Sequence, residues 1–408
     1  MMGKERILVC ICDGFRSGAL APGVDLCQAP GMMRRLRPLA VFFLCTALLA
    51  ASACGGCEED PAGPVPVNNV NNANNANNVN NVNNVNNVNN VNNANNATPI
   101  EVEVVEVPLP GIYGAALREY SGMAWHGDRL ILLPQYPSAL GNRLVGLERS
   151  QILAYLDGAP ADTLVPVPIP FDDGGLPGSL PGFQGFEALA IAGDTAFFTI
   201  ETSGTFGMRC HVARARVRTE GGLAITLEPQ SLTEVPLAVQ LDNMCHEAVL
   251  VLPDRVVTFF EANGANVNPD PVVQTFDLQL APLAALPMAR LEYRVTDVTP
   301  VDAGGRFWAI NYFYPGEADL LDPAPDPLVA QYGEGPTHAA SVVVERLVEL
   351  VWSPAGVTLS DRPPLQLRLM ERESRNWEGL ARLDDRGFLM VTDRFPTTIL
   401  AFAPHPAR

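Results

Sequence analysis

From residue 99 onward the chain alternates short apolar runs with polar turns, and one arrangement of the two recurs. Near the C-terminus, Asn376-Trp377-Glu378-Gly379-Leu380-Ala381-Arg382-Leu383 leads into a turn at Asp384-Asp385-Arg386-Gly387. A second apolar run then ends at Thr392-Asp393. Two apolar runs around a Gly-containing turn predict a β-hairpin. Four earlier stretches repeat it: Ser121 to Gln135, Glu187 to Glu201, Glu247 to Glu261 and Asp297 to Asn311. The polar ends are 14 residues apart in those four and 15 apart in the last, from Glu378 to Asp393. A turn midway along such a stretch brings both ends to the open end of the hairpin. Successive copies begin 66, 60, 50 and 81 residues apart. Units of that size hold about four short strands each, which predicts a repeat architecture of the β-propeller kind.

The expected fold is therefore all-β, a five-bladed β-propeller with six blades as the alternative. Outer strands are predicted at 152–156 and 164–168, at 210–217 and 223–227, at 272–278 and 291–295, and at 341–352 and 357–369. After Asp393 only one further strand is available, at 397–402, so the β-branched segment 100–107 is expected to complete the last blade and close the ring. The Pro-, Asp- and Gly-rich insert at 316–337 is predicted to be a loop over one face.

The residues before this domain carry different signals. Met32-Met33-Arg34-Arg35-Leu36-Arg37 has the character of a translation start with a basic n-region, so the true start is expected near residue 32. The apolar run from Leu39 to Ala50 has signal-peptide length and is too short to span a bilayer. Leu49-Ala50-Ala51-Ser52-Ala53-Cys54 resembles a bacterial lipobox, with Cys54 as the lipidated residue; an ordinary secretory signal is the alternative. Residues 1–53 are then a leader. Residues 54–98 form the anchor and an Asn-Asn-Val/Ala repeat with no apolar face, expected to be a disordered tether spanning roughly 30 Å. Residues 99–408 are the folded domain. The expected location is the cell envelope, lipid-anchored, or else secreted.

Charge narrows the partners. The chain has 27 Lys and Arg against 45 Asp and Glu, a net charge of −18, and Lys4 is its one lysine. Nucleic acid and anionic membranes need basic surfaces, so neither is expected as a partner beyond contact through the lipid anchor. A monomer acting on a small molecule is the expectation. Of eight cysteines, Cys210 and Cys245 lie in the domain on adjacent predicted blades. In an exported protein they are disulfide candidates, with two buried thiols as the alternative.

Innermost propeller strands line a central channel, so Ser121, Glu187, Glu247, Asp297 and Glu378 are predicted to converge on one axis. Carboxylates gathered in a narrow channel must protonate or hold a cation. Oxygen-only ligands from several strands suit Ca²⁺. Gln135, Asn311 and Asp393 would orient that set, with Glu201 and Glu261 as proton acceptors. His246 would face away from the channel. Arg375 and Arg394 flank the last repeat and are the anion-binding candidates.

Glu378-Gly379-Leu380-Ala381, with Asn376 before it and Val391-Thr392-Asp393 after it, resembles the signature of the esterase-like phytase propeller domain. The series Ser121, Glu187, His246-Glu247, Asp297, Glu378 is also similar to the five-bladed calcium-activated nucleotidase (apyrase) family. Asp297 stands where that family has Ser, and the family's basic and acidic loop motifs are absent. The resemblance implies a calcium-centred propeller and a metal-dependent phosphoester or phosphoanhydride hydrolase. A non-catalytic surface binding module and a lactonase-like esterase are the alternatives.

Overall fold

A computed structural model describes residues 101–405, apart from 116–117, 206 and 372. The leader, Cys54 and the Asn-rich tether lie outside the described residues. The domain is all-β, with only short helices between strands.

Two consecutive repeats form one nine-stranded sheet. In its first half, Tyr120–His126, Arg129–Pro134, Arg143–Glu148 and Val167–Asp172 pair antiparallel in chain order. In its second half the order is Phe183–Ala192, Thr195–Gly204, Gly207–Arg218 and Ala224–Leu227, and Thr233–Val235 adds to the third of these. The halves join where Val167–Asp172 runs parallel to Ala224–Leu227. At the other end Tyr120–His126 lies against Phe183–Ala192, so this sheet nearly closes on itself. The third repeat is a four-stranded sheet of His246–Val251, Val256–Phe260, Val272–Phe276 and Leu286–Pro287. The fourth is built on Arg294–Val298, Arg306–Phe313 and Val344–Ser353, with Gly356–Leu359 and Leu365–Leu367 outside. The last is Trp377–Leu383, Gly387–Thr392 and Leu400–Pro404, with Val105–Glu106 at its edge.

Each repeat starts with the strand that opens its hairpin, and these five strands pack against one another in a cycle. Tyr120–His126 touches Phe183–Ala192, then His246–Val251, Arg294–Val298 and Trp377–Leu383 follow in turn, and the last returns to the first. The approach is close enough to require small residues. A Cβ on Gly122 would lie 3.2 Å from the backbone nitrogen of Leu189, and one on Gly379 would lie 3.1 Å from the carbonyl carbon of Gly122. Between neighbouring repeats lie apolar layers. One joins Phe171, Phe186 and Phe198; another joins Phe259, Phe307 and Val348. Burial of these layers is the main stabilising term.

Several sequence expectations are corrected. The run at 152–156 is not a strand but the end of the α-helix Arg149–Leu156. A short apolar run does not by itself separate strand from helix, and here only Ile152 is fully buried. The stretch predicted as an outer strand at 291–295 instead contributes Arg294 and Val295 to an inner strand. The outer strand of the third repeat is the shorter Leu286–Pro287. The segment 100–107 serves two sheets: Glu101–Val102 runs parallel to Leu365–Leu367, and Val105–Glu106 pairs with Leu400–Pro404. The insert at 316–337 carries two short helices, Ala318–Leu321 and Pro327–Tyr332.

Candidate functional site

Every inner strand carries an irregularity at the same place. The pairing slips between Tyr120 and Gly122, Phe186 and Ala188, His246 and Ala248, Val295 and Val298, and Trp377 and Gly379. The extra residue is Ser121, Glu187, Glu247 and Glu378 in four of them, and it falls in the Thr296-Asp297 pair in the other. A β-bulge leaves one residue unpaired and re-aims its side chain. Here a repeated bulge turns the leading polar residue of each sequence repeat out of the sheet.

Asp297 is satisfied by backbone. Its Oδ1 accepts the N–H of Val298 at 2.8 Å and its Oδ2 accepts the N–H of Leu380 at 2.7 Å. Burial pushes this carboxyl well above its usual range, against the pull of the Leu380, Val298 and Met123 N–H groups. Met123 and Leu380 lie just past the bulges of the first and last inner strands. Asp297 therefore ties three inner strands together at the axis.

Next to it is a cluster of carboxylates around one cation, Arg294. Its Nη2 donates to both oxygens of Glu247, each at 3.0 Å, and to Glu378 Oε1 at 3.3 Å. Its Nε donates to Glu261 Oε2. Its Nη1 reaches Glu317 and Asn376, each at 3.4 Å. Burial opposes the charge on Arg294, but Glu247, Glu261, Glu378 and Glu317 outweigh it and hold the guanidinium firmly protonated. Burial raises the Glu378 carboxyl well above its ordinary range, helped by the charge of Glu247 and opposed by Arg294. The backbone carbonyl of Arg294 accepts from Asn311 Nδ2 at 3.1 Å, and Asn311 Oδ1 accepts from Arg346 at 2.8 Å. Arg346 is paired in turn with Asp326.

On the other side of the cluster the carboxylates have less company. Glu187 accepts from Gln135 Nε2 at 3.2 and 3.4 Å. Burial, then the charges of Glu201 and Glu247, push its carboxyl well above the usual range. Glu201 is pushed up to about 7, by burial and then by Glu247. Its Oε1 is buried and has no hydrogen-bond partner among the described residues. Tyr136 lies near this edge: burial, then the charges of Glu187, Glu119 and Glu201, raise its hydroxyl pKa, and its ring meets Phe183 edge-on at 6.3 Å.

Other predicted site residues have different surroundings. Glu261 is fully buried and held at both oxygens, by Arg294 and by the N–H of Cys245 at 3.0 Å, so it has no free oxygen for proton transfer. Arg375 is not a free anion receptor. It is buried against Glu345, which accepts its Nε at 2.8 Å and its backbone N–H at 2.9 Å, and Trp377 Nε1 donates to the same carboxylate. Arg394 is paired with Glu119 and lies over the ring of Phe395. His246 packs on Phe260 and its Nε2 meets the carbonyl of Pro236 at 3.2 Å; burial lowers its pKa to about 4. Asp393 is raised by burial and accepts from the N–H of Phe395 and from Asn376. Cys210 and Cys245 are joined by a disulfide, with Cα atoms 5.7 Å apart.

Arg294 and Glu317 were not legible as site residues. The one available signal was the position of Arg294, three residues before Asp297 in a domain with no lysine.

The donor set bears directly on calcium. Asp297 is taken by backbone N–H groups, Glu247 and Glu378 are taken by Arg294, and Glu187 accepts from Gln135, so four of the five predicted ligands already have partners. Among the described residues, no group of three or more His, Cys, Asp or Glu side chains is arranged to hold a metal ion. The five residues as placed do not fit an oxygen-only calcium ring.

No protein-family model matches the chain, and no curated protein is similar to it in sequence. Solved structures overlap it at low similarity. A glycosyl hydrolase from Bacteroides ovatus has 10% identity over 76% of this chain and 92% of that one, with a TM-score of 0.39. A GH43 endo-arabinanase from Bacillus licheniformis has 8% identity over 71% and 93%, with a TM-score of 0.38. The catalytic domain of a Coprinopsis cinerea GH62 α-L-arabinofuranosidase has 7% identity over 75% and 97%, with a TM-score of 0.41. Overlap at this level transfers no activity.

Proposed function

We propose that the domain is a five-bladed β-propeller hydrolase in which Glu201 transfers the proton at the axial cluster. The cycle of five inner strands, each bulged at the same position, supports the blade count. The observation that carries the activity is the placement of Glu201: a buried carboxyl with one oxygen unpartnered among the described residues, which burial pushes up to about 7. A base is most effective when its pKa lies near the working pH. In this reading a substrate enters past Tyr136, Phe183 and Gln135. Glu201 takes a proton from the attacking water and returns it to the leaving group. Glu187, whose carboxyl burial pushes well above its usual range, lies beside Glu201 and accepts from Gln135.

Electrostatics favours an uncharged bond, an ester, lactone or glycoside. A phosphorylated substrate would meet Glu187, Glu201, Glu247 and Glu119, while Arg375, Arg394 and Arg294 are already paired. In this proposal a lipid on Cys54 and the tether at 54–98 hold a monomeric domain at the cell envelope, where small neutral substrates reach it.

The test is a panel of p-nitrophenyl acetate, p-nitrophenyl glycosides, a simple lactone and p-nitrophenyl phosphate, with wild type and Glu201→Gln. Turnover of a neutral substrate, reduced at least about 100-fold by Glu201→Gln, is expected. Turnover of the phosphate ester alone, or an unaffected variant, refutes the reading. No turnover of any member favours a non-catalytic binding module.

A second reading keeps calcium and phosphoester hydrolysis. It is favoured by Glu187 and Glu201, which have no cation of their own and only Gln135 as a donor. Calcium held there would supply a Lewis acid, and Arg294 would have to withdraw from Glu247 to free a third carboxylate.

A further inference from the structure

We infer that Arg294 is a built-in counter-ion that takes the place of a metal ion at the axis, so that the centre holds together without divalent cations. The inference stands apart from the acid–base reading and runs against the calcium reading.

The geometry is that of a multidentate cation. Glu247 and Glu261 come from the third hairpin, Glu378 from the last, and Glu317 from the segment that follows the fourth. One guanidinium on the fourth inner strand therefore links three successive repeats where they meet. A planar guanidinium with five donors can serve several carboxylates at once, which an ammonium cannot do as well. The side chain is 6% exposed, so it is not a mobile cation at the rim. It is also seated from behind: Asn311 holds its backbone carbonyl, Arg346 holds Asn311, and the Tyr312 ring lies 5.9 Å from the guanidinium carbon. Removing Arg294 leaves Glu247, Glu261 and Glu378 as oxygen donors from two hairpins around a vacated centre, the donor type that recruits calcium.

The test is thermal unfolding of the full chain, wild type and Arg294→Gln, in EDTA and in excess calcium chloride. The expected result is a wild-type Tm identical in both. Arg294→Gln should melt lower in EDTA and recover in calcium by roughly 5 °C when calcium is about 100-fold above its Kd. If Arg294→Gln does not fold in either condition, Arg294→Gln/Glu378→Gln is read in its place, with the same calcium-dependent rise expected. A wild type that gains stability from calcium overturns the inference and supports the calcium reading. A variant as indifferent to calcium as wild type also overturns it. Neither result depends on whether any substrate is turned over.

Discussion

Replacing Asp297 with Ala should destabilise the domain while leaving its calcium response unchanged. The carboxylate accepts two backbone N–H groups, from Val298 at 2.8 Å and Leu380 at 2.7 Å, on inner strands that form the edges of their sheets. Alanine leaves both donors buried and unpaired. Each such group costs about 1–3 kcal/mol, so the gross loss is about 2–6 kcal/mol. Burying the carboxyl is itself unfavourable, since its pKa is raised by desolvation, and relief of that cost offsets part of the loss. A net destabilisation of about 3 kcal/mol is expected. Asn keeps one acceptor oxygen, so Asp297→Asn should lose about half as much. Urea unfolding followed by tryptophan fluorescence is suited to this, because Trp308 and Trp377 are buried in the apolar layer between the fourth and last repeats. Far-UV circular dichroism run in parallel checks that one transition is seen by both probes. With a slope of about 3 kcal/mol/M, the Ala variant should shift the midpoint by about 1 M. An Ala variant with a wild-type midpoint would refute the backbone-acceptor role. So would a loss that appears only when calcium is present.

Further outcomes follow from the same contacts. Glu201 has a folded-state pKa raised from about 4.5 to about 7, so the folded protein binds more protons than the unfolded chain between those values. Stability should therefore fall as pH rises from about 4.5 to about 7, and Glu201→Gln should flatten that slope in unfolding measured across pH. The reaction rate should rise over the same range if Glu201 acts as a base. Glu345→Gln leaves Arg375 buried without a charged partner and should cost about 3–5 kcal/mol in urea unfolding. Reduction of the Cys210–Cys245 bridge, which closes a 35-residue separation, should lower stability by about 4 kcal/mol in unfolding with and without reductant.

The hairpin repeat was legible because the polar residue opening each apolar run is forced out of the sheet by the bulge. Spacing alone pointed to Ser121, Glu187, Glu247, Asp297 and Glu378 as equivalent positions, and they do sit at equivalent irregularities. What spacing could not give was the partner of each side chain. Asp297 and Glu378 share a phase, yet one accepts backbone N–H groups and the other a guanidinium, because Asp is one methylene shorter and lies in a two-residue bulge. Arg294 was hidden because its position does not single it out: Arg118 and Arg375 also stand three residues before Ser121 and Glu378, while Gln184 and Met244 stand before Glu187 and Glu247. Arg375 was misread for a related reason. Its partner Glu345 lies 30 residues away, on the strand Val344–Ser353. The helix at Arg149–Leu156 was missed because Ile152-Leu153-Ala154-Tyr155-Leu156 is too short for its period to be read.

The pairing of Val105–Glu106 with Leu400–Pro404 joins residues from opposite ends of the domain. Closing a loop of nearly three hundred residues is entropically expensive and must wait until the last strand exists. During synthesis the circle therefore stays open until Leu400–Pro404 has left the ribosome. The edge of Gly387–Thr392 has no cover before Leu400–Pro404 arrives, and that second strand has none before Val105 returns to it. Slow maturation is the consequence, with a late intermediate that exposes a strand edge able to capture a second copy.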